Sequence, residues 1–250
     1  MARELRRLLI AAQRLPAAGS ALGLLPAERH YLERVLRLRT GERFAISDGA
    51  GHLWSAQLSS CGAVLEQPLD GPLRSEPPPK PQLHLAVAMP RQDAAVMARM
   101  VCELGIDALL PLQARRSSPG RAVRSERLSA VLREAEEQCE RLWTLELRPE
   151  QPSCRLLERP PAGRGLLATT REQDLPLLAQ QLERIDPASA GSGLTLAIGP
   201  EGGWSPDEIA MAVGAGWQPV SLGATILRVS TAAVAGAAAL VSWRLGLTCP

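Results

Sequence analysis

The stretch IGPEGGWSPDEIA, residues 198–210, combines residue types that suit the binding of a small ligand. Glycine lets the main chain adopt positive φ and approach a ligand closely, so amides and carbonyls can contact it. A single carboxylate, Glu201, lies at the centre of the turn. Ser205, Pro206 and Glu208 then form a helix start, with a capping hydroxyl, a proline and an acid in the first turn. The stretch predicts a ligand loop or, alternatively, only a tight connection from a strand to a helix.

A second glycine-containing turn, SLGATILRVST at residues 221–231, follows the next apolar strand along the chain. Open parallel sheets bind ligands at the carboxyl ends of their strands, so both turns are candidate ligand loops. Two other nucleotide-binding motifs are missing from the sequence. There is no G-x-x-x-x-G-K-[ST] and no G-x-G-x-x-G after a strand, so neither a P-loop nor a Rossmann site is indicated.

The elements that would position these loops alternate between strand and helix. Helical spacing of apolar residues predicts two helices, one from an Asp93 N-cap to Gly105 and one over residues 125–143. Alternation of this kind predicts a parallel α/β sheet covered on both faces. The strand-length apolar runs are LHLAVAM, IDALLPL, GLLATT, GLTLAIGP and QPVSLG.

A proline-rich segment, LRSEPPPKPQ at 73–82, divides the chain, because four prolines in ten residues favour an extended spacer. Before it, RFAISDGAG and HLWSAQL predict a β-hairpin around Asp48-Gly49, and residues 26–42 predict a helix closed by Gly41. We therefore predict a small, mostly β domain, a linker and an α/β domain. Their bounds are 1–74, 75–82 and 83–250.

The positive charge of the chain is almost entirely arginine. The net charge is +2 and Lys80 is the single lysine. Nine arginines against five acids occupy the first 48 residues, and five arginines face only Glu126 between residues 115 and 127. Arginine suits the planar recognition of phosphate, although genome composition produces the same bias. The two clusters indicate a partner with phosphates or, equally, a solvated surface.

The cysteines and histidines suggest no metal or disulfide framework. The five cysteines are odd in number, scattered and without a C-x-x-C pair, and the three histidines have no ligand spacing. A reducing cytoplasm fits this pattern. The apolar run near the N-terminus is shorter than a signal-peptide core, and the apolar stretch 231–243 is too short to span a bilayer. We expect no metal, no targeting signal and no membrane segment.

Taken together, these motifs resemble a known family. IGPEGGWSPDEI (198–209) followed by LGATILRVSTAAVAGAAAL (222–240) is similar to the two signature loops of the RsmE family, the methyltransferases that modify N3 of a uridine in small-subunit ribosomal RNA. HYLERVLRLRTGERFAISDGAG (30–51) resembles the PUA-like N-terminal domain of that family. The resemblance implies a SPOUT-type α/β fold, a parallel sheet with a trefoil knot, preceded by a small PUA-like β-barrel domain.

The resemblance also implies a cofactor, partners and site residues. The cofactor is S-adenosyl-L-methionine, and the partners are 16S ribosomal RNA or the small ribosomal subunit and a second copy in a homodimer. Catalytic positions are Arg228, Glu201 and Ser230. Glu201 would favour the positive sulfonium or cap nearby amides, and Arg228 would stabilise negative charge on the uridine oxygens or form a structural salt bridge. Cofactor contacts are expected at Thr169, Ile198, Gly199, Pro200, Glu201, Gly202, Gly203, Leu222, Gly223, Ile226, Leu227 and Arg228, and RNA contacts at Arg7, Arg34, Arg37, Arg39, Arg91, Arg115 and Arg116.

The sequence departs from the family pattern at three places. The family usually has Gly-Pro-Arg before the ILR motif and Glu-Thr-Ala after it, where this chain has Thr225 and Ser230 in place of the arginine and the acid. A lysine common in the helix before ELG is Met100 here. These losses leave two hypotheses: an RNA methyltransferase, or an RNA-binding protein that kept the fold without catalysis. Binding of the cofactor distinguishes them.

Overall fold

The fold was determined as a computed structural model, which describes residues 5–17, 19–117, 125–161, 163–170, 174–186 and 193–248. The chain forms two compact units. The first contains Met1–Pro78 and Glu136–Thr144, and the second contains Pro79–Ala135 and Leu145–Pro250. The predicted linker contains the boundary at Pro78. No sequence pattern indicated that Glu136–Thr144 belongs to the first unit.

A parallel sheet is the framework of the second unit. Its strand order is β10-β8-β7-β12-β11-β13, with β9 paired to β8, and every pair is parallel. The strands are β7 (Leu83–Ala88), β8 (Ala108–Gln113), β9 (Glu146–Leu147), β10 (Gln151–Pro152), β11 (Arg164–Ala168), β12 (Leu194–Ile198) and β13 (Gln218–Val220). The predicted parallel α/β sheet is confirmed.

Helices cover both faces of this sheet, which explains why its strands are continuous apolar runs. Along β12, Leu196 and Ile198 pack on one face with residues of α2, α5 and α7, whereas Ala197 packs on the other face near α6. The helices are α2 (Ala94–Leu104), α3 (Ser125–Cys139), α4 (Ser153–Leu157), α5 (Leu178–Glu183), α6 (Pro206–Gly214) and α7 (Val229–Thr248).

The first unit contains a six-stranded sheet of order β1-β3-β4-β5-β2, with β6 paired to β4. Its core includes Phe44, Ile46, Trp54 and Leu58, all buried. Asp48 organises the predicted hairpin, because its Oδ1 accepts hydrogen bonds from the amide of Ala50 in the turn, at 2.7 Å, and from the amide of His52, the first residue of the next strand, at 3.0 Å. The strands are β1 (Arg7–Leu9), β2 (Ala21–Leu22), β3 (Arg43–Ser47), β4 (His52–Ser59), β5 (Gly62–Leu65) and β6 (Arg74–Ser75).

The helix predicted over residues 26–42 is wrong in length. Helix α1 (Pro26–His30) continues only as a π-helical turn, Tyr31–Val35. The chain then leaves the helix at Arg37, which has a φ of 58°. The amide of Leu38 turns back to the carbonyl of Leu32, at 2.9 Å. This turn ends the helix several residues before Gly41, so Arg37 and Arg39 lie beyond the helix.

Asp93 is at the N-cap position of α2, as predicted, but it lacks the geometry of a capping side chain. Asp93 precedes the helix, but its φ of 64° and ψ of 4° are left-handed, and its side chain makes no capping hydrogen bond. N-cap residues ordinarily have extended backbone angles, which aim the side chain at the first amides of the helix. At the other end, Gly105 follows α2 with a φ of 103°, as the sequence predicts.

Helix α7 is longer than the apolar stretch 231–243 that we expected to be too short for a bilayer. It has 20 residues, and its length and composition over Val229–Leu247 also suit a membrane span. Nevertheless, Ala233, Ala237 and Leu240 are fully buried in the core of the second unit. The expectation that this segment is too short to span a bilayer is wrong, because the helix has 20 residues. Its buried side chains nevertheless show the contacts of a helix that packs on a sheet.

Candidate active site

A cavity of about 450 Å³ lies at the carboxyl ends of β11, β12 and β13, the edge where an open parallel sheet binds ligands. Two loops contribute most of its wall. We call residues 199–203 the GPEGG loop and residues 222–228 the ILR loop. Of the predicted cofactor contacts, eleven line the cavity: Thr169, Ile198, Gly199, Pro200, Glu201, Gly202, Gly203, Leu222, Gly223, Ile226 and Leu227.

Trp204 holds the GPEGG loop against β11. Its indole Nε1 donates to the carbonyl of Ala168 at 3.0 Å, and the ring is buried. A Cβ at Gly199 would lie 3.0 Å from this ring. Gly203, with a φ of 70°, closes the turn through its amide, which donates to the carbonyl of Pro200 at 2.8 Å. The structure thus explains why two positions of this loop are glycine: Gly199 packs closely on a ring, and Gly203 has a left-handed backbone.

A buried carboxylate, Glu208, fixes the start of α6 directly after this loop. It accepts from the Ser205 amide at 2.8 Å and the Ser153 hydroxyl at 2.7 Å, while the Ser205 hydroxyl caps the Glu208 amide at 3.2 Å. The Arg115 amide also donates to it, at 3.1 Å. Burial acts to raise the pKa of Glu208, but these hydrogen bonds outweigh burial and hold its pKa below the ordinary value. The predicted helix start, with the Ser205 hydroxyl as its cap, is confirmed.

Thr169 follows β11 and contributes an unpaired hydroxyl to the cavity wall. The residue is 5% exposed, and its amide donates to the carbonyl of Val220 at 3.0 Å. Its Oγ1 is buried and has no hydrogen-bond partner in the part of the chain that the structure describes. An unpaired buried hydroxyl is costly, so this atom is suited to a polar group of a ligand.

The ILR loop has far fewer internal contacts. The Ser221 hydroxyl bonds both the amide and the carbonyl of Gly223, at 3.2 and 3.1 Å. Leu222 and Leu227 are half-buried against the core, whereas Ile226 is 65% exposed. Within the described residues, the amides of Ile226 and Leu227 donate no main-chain hydrogen bond. These amides are available to a ligand.

The three predicted catalytic residues occupy different positions. Glu201 lines the cavity with an exposed side chain, and it caps no amide in the described ranges. Arg228 is exposed and Ser230 half-buried, and neither belongs to the cavity wall, although Leu227 and Val229 do. Arg228 forms no salt bridge with any described residue. The structure thus offers no support for the alternatives of a capping Glu201 and a structural Arg228.

One of the predicted RNA contacts is wrong. Arg7 is buried, and its Nη2 forms an ion pair with Glu140 at 2.7 Å within the first unit, so its charge is already satisfied. Arg34, Arg37 and Arg39 are exposed, and across the described residues none of them has an ion pair. Arg91 is exposed as well.

The two arginines after β8 differ from each other. Arg115 pairs with Asp207 in an exposed ion pair. Arg116 lines the cavity, and its Nη1 donates to the carbonyls of Gly202 and Trp204, both at 3.3 Å. The sequence predicted RNA binding for both arginines and gave Arg116 no place in the cavity. Its position directly after the carboxyl end of a parallel strand was the signal that could have indicated it.

Comparison with known proteins gives this architecture a family. The RNA methyltransferase domain matches residues 76–241, and the RNA methyltransferase PUA domain matches residues 26–62. A ribosomal RNA small subunit methyltransferase E from Synechocystis is 35% identical over 231 residues, which cover 90% of this chain and 74% of the relative. The chain belongs to this methyltransferase family.

Two further comparisons agree with the family. A ribosomal RNA small subunit methyltransferase E from Mycobacterium bovis is 34% identical over 236 residues, which cover 88% of this chain and 85% of the relative. The same fold occurs in the structure of the Neisseria gonorrhoeae enzyme bound to S-adenosyl methionine. That structure has a TM-score of 0.79 and 24% identity, and it covers 96% of this chain and 98% of that chain. The resemblance to the RsmE family is confirmed.

Proposed function

We propose that the protein is an S-adenosyl-L-methionine-dependent RNA methyltransferase that methylates N3 of a uridine in 16S ribosomal RNA, in the cytoplasm. The observation that carries this proposal is the cavity between two main-chain-rich loops at the carboxyl ends of β12 and β13, the parallel strands on either side of β11. Family membership defines the class of reaction.

The residues of the cavity fit the cofactor. Its volume lies in the range of small-molecule sites, about 300 to 1,000 Å³. The unpaired Thr169 hydroxyl and the amides of the ILR loop offer polar groups, and Leu222, Ile226 and Leu227 offer apolar contact to an aromatic ring. When bound, the cofactor supplies a methyl group on a positively charged sulfur. The negative charge of Glu201 favours such a cation at the cavity.

Arg228 has the electrostatic role in the proposed transfer. Uridine N3 is a nucleophile after it loses its proton, and the negative charge then spreads to the two neighbouring oxygens. A guanidinium beside the cavity stabilises that charge, and the described residues leave Arg228 without an ion pair that would compete. Ser230, in the first turn of α7, is a second polar group, two residues after Arg228 in the chain.

The first unit binds RNA through Arg34, Arg37 and Arg39 in this proposal. Other arginines of that unit already have acidic partners, as in the pairs Arg14–Glu28 and Arg43–Glu66. The three exposed arginines have none among the described residues, so their charges are available to phosphates.

We also place the protein in a homodimer, as the family resemblance implies. Helix α2 packs against α7 in the second unit and leaves Val96 and Met100 exposed, at 44% and 39%. Leu245 on α7 is 60% exposed. Apolar side chains on two packed helices give a second copy a surface to bury. Light scattering should give twice the monomer mass at micromolar concentration, and a monomer mass would refute the dimer.

The activity is tested with small ribosomal subunits from a strain that lacks this enzyme. Incubation with the protein and S-adenosyl-L-methionine should add one methyl group to one uridine of 16S RNA, located by mass mapping. Subunits isolated from the wild-type strain, already methylated at that position, are the matched control and should accept no methyl group. If the protein binds RNA but neither binds S-adenosylhomocysteine nor transfers a methyl group, it is a non-catalytic RNA-binding protein and the proposal is wrong.

A further inference from the structure

One nitrogen of the Arg116 guanidinium makes hydrogen bonds, and the other two nitrogens make none with the described residues. Nη1 donates to the carbonyls of Gly202 and Trp204, both at 3.3 Å. Nε and Nη2 have no hydrogen bond and no ion pair with any residue that the structure describes. These two groups form one edge of the planar guanidinium, which matches the two oxygens of a carboxylate or a phosphate.

The packing of the GPEGG loop places Arg116 in the cavity wall. Gly202 lies so close to Arg116 that an added Cβ would be 3.0 Å from the Arg116 Cβ and 3.2 Å from its carbonyl oxygen. Both residues line the cavity. The absence of a side chain at Gly202 therefore lets Arg116 approach the loop, and the loop carbonyls orient the guanidinium.

The same cavity wall carries a charge of the opposite sign. Glu201 precedes Gly202 and lines the cavity with an exposed carboxylate. Across the described ranges, no ion pair joins Glu201 to Arg116, although both belong to one short stretch of the wall. An unpaired cation and an unpaired anion on one wall complement a ligand that itself carries both charges.

We infer that Arg116 binds the carboxylate at the amino-acid end of the cofactor. This inference rests on the proposed function, because S-adenosyl-L-methionine ends in a zwitterionic amino acid with one carboxylate and one ammonium. Arg116 is a cofactor-binding residue in this assignment. A phosphate of the RNA is the competing anion, but the contact of Arg116 with the carbonyls of a cavity loop favours the ligand inside the cavity.

Two ligands that differ only at this end test the inference. S-adenosylhomocysteine has the amino-acid end, and 5′-methylthioadenosine keeps the adenosine and the sulfur without it. Calorimetry on the full-length protein should show tighter binding of S-adenosylhomocysteine to the wild type. Arg116→Ala should weaken S-adenosylhomocysteine by about 10-fold to 100-fold, the usual effect of losing a bidentate charged hydrogen bond, and leave 5′-methylthioadenosine within about 2-fold.

The matched control is Arg115→Ala, which removes the neighbouring arginine while its main-chain amide still bonds Glu208. It should leave both affinities unchanged. Arg116→Lys, which keeps the charge without the planar edge, should give an intermediate affinity and covers the case in which Arg116→Ala does not fold.

Three results would overturn the inference. Equal wild-type affinity for the two ligands would mean that the amino-acid end is not recognised. An equal loss of both ligands in Arg116→Ala would show that Arg116 only shapes the loop, and unchanged binding of both with weaker RNA binding would assign Arg116 to a phosphate. A wild type that binds neither ligand at millimolar concentration would instead contradict the proposed function itself.

Discussion

The GPEGG loop and the ILR loop line the same cavity, but the rest of the chain holds them very differently. Trp204, Arg116 and the cap at Glu208 bond the first loop or the residues that follow it. In the described structure the second loop has the Ser221 hydroxyl and two half-buried leucines. The GPEGG loop is therefore a preformed wall, and the ILR loop is the wall that a ligand has to order.

This difference separates stability from chemistry. Substitutions that remove the supports of the GPEGG loop should cost folding free energy, because they leave buried polar groups unpaired. Substitutions in the ILR loop should leave stability nearly unchanged, because its side chains are largely exposed. We therefore expect residues of the ILR loop to act in the methyl-transfer step and residues of the GPEGG loop to fix the shape of the site.

The largest effect is expected at Arg228. Arg228→Ala should lower the rate of methyl transfer by about 10² to 10³, the usual effect of deleting one transition-state donor. Affinity for S-adenosylhomocysteine should stay within a few fold, because the cavity wall that holds that ligand does not include Arg228. Single-turnover rates and calorimetry check the two parts. A joint fall of binding, transfer and melting temperature would make Arg228 a structural residue and remove the distinction between the loops.

Glu208→Ala should have the next largest effect, on stability. It removes the acceptor of the Ser205 amide, the Ser153 hydroxyl and the Arg115 amide, so the free energy of unfolding should fall by about 3 kcal/mol. Urea unfolding followed by circular dichroism measures the loss. The matched control is Glu201→Ala, an exposed carboxylate that should change stability by less than about 0.5 kcal/mol. Equal losses in the two variants would contradict the structural role of Glu208.

A smaller pair of effects compares one apolar residue from each side of the cavity. Trp204→Phe keeps a ring but loses the hydrogen bond to Ala168, and should lower the unfolding free energy by about 1 kcal/mol. Ile226→Ala should change it by less than about 0.5 kcal/mol, because Ile226 is 65% exposed, yet it should weaken S-adenosylhomocysteine several fold. Thermal melts with and without ligand separate the two. A stability loss at Ile226 as large as at Trp204 would show that the ILR loop is packed as firmly as its neighbour.

The sequence predicted the elements that have strong local patterns. The continuous apolar runs identified five of the parallel strands, β7, β8, β11, β12 and β13, but not the two-residue strands β9 and β10, and Ser205-Pro206 with Glu208 identified the start of α6. The predicted helix over 26–42 was too long, and Asp93 is at the N-cap of α2 without capping it, because left-handed backbone at Arg37 and Asp93 has no reliable signal in non-glycine residues. Composition alone also could not show that α7 runs for 20 residues.

The site was predicted in part, for a physical reason. Residues of the two loops lie together because their strands, β12 and β13, flank β11 in the sheet, and the carboxyl ends of these three parallel strands lie at one edge. The pairing of Arg7 with Glu140 and the contact of Arg116 with Gly202 join residues 133 and 86 positions apart. Local sequence patterns carry no information about such contacts. The two arginine clusters therefore predicted RNA binding for Arg7, which forms a buried ion pair, and for Arg116, which lines the cavity.

Hydrogen exchange of both loops, with and without saturating S-adenosylhomocysteine, tests whether the cofactor binds between them. We expect the Gly203 amide of the GPEGG loop, which donates to the carbonyl of Pro200, to exchange slowly in the free protein and to change little with ligand. The amides of the ILR loop, among them Ile226 and Leu227, should exchange quickly in the free protein and become at least about 10-fold slower with ligand, because the ligand supplies their missing acceptors. Unchanged exchange in the ILR loop at millimolar ligand would contradict the claim that the cofactor binds between these loops.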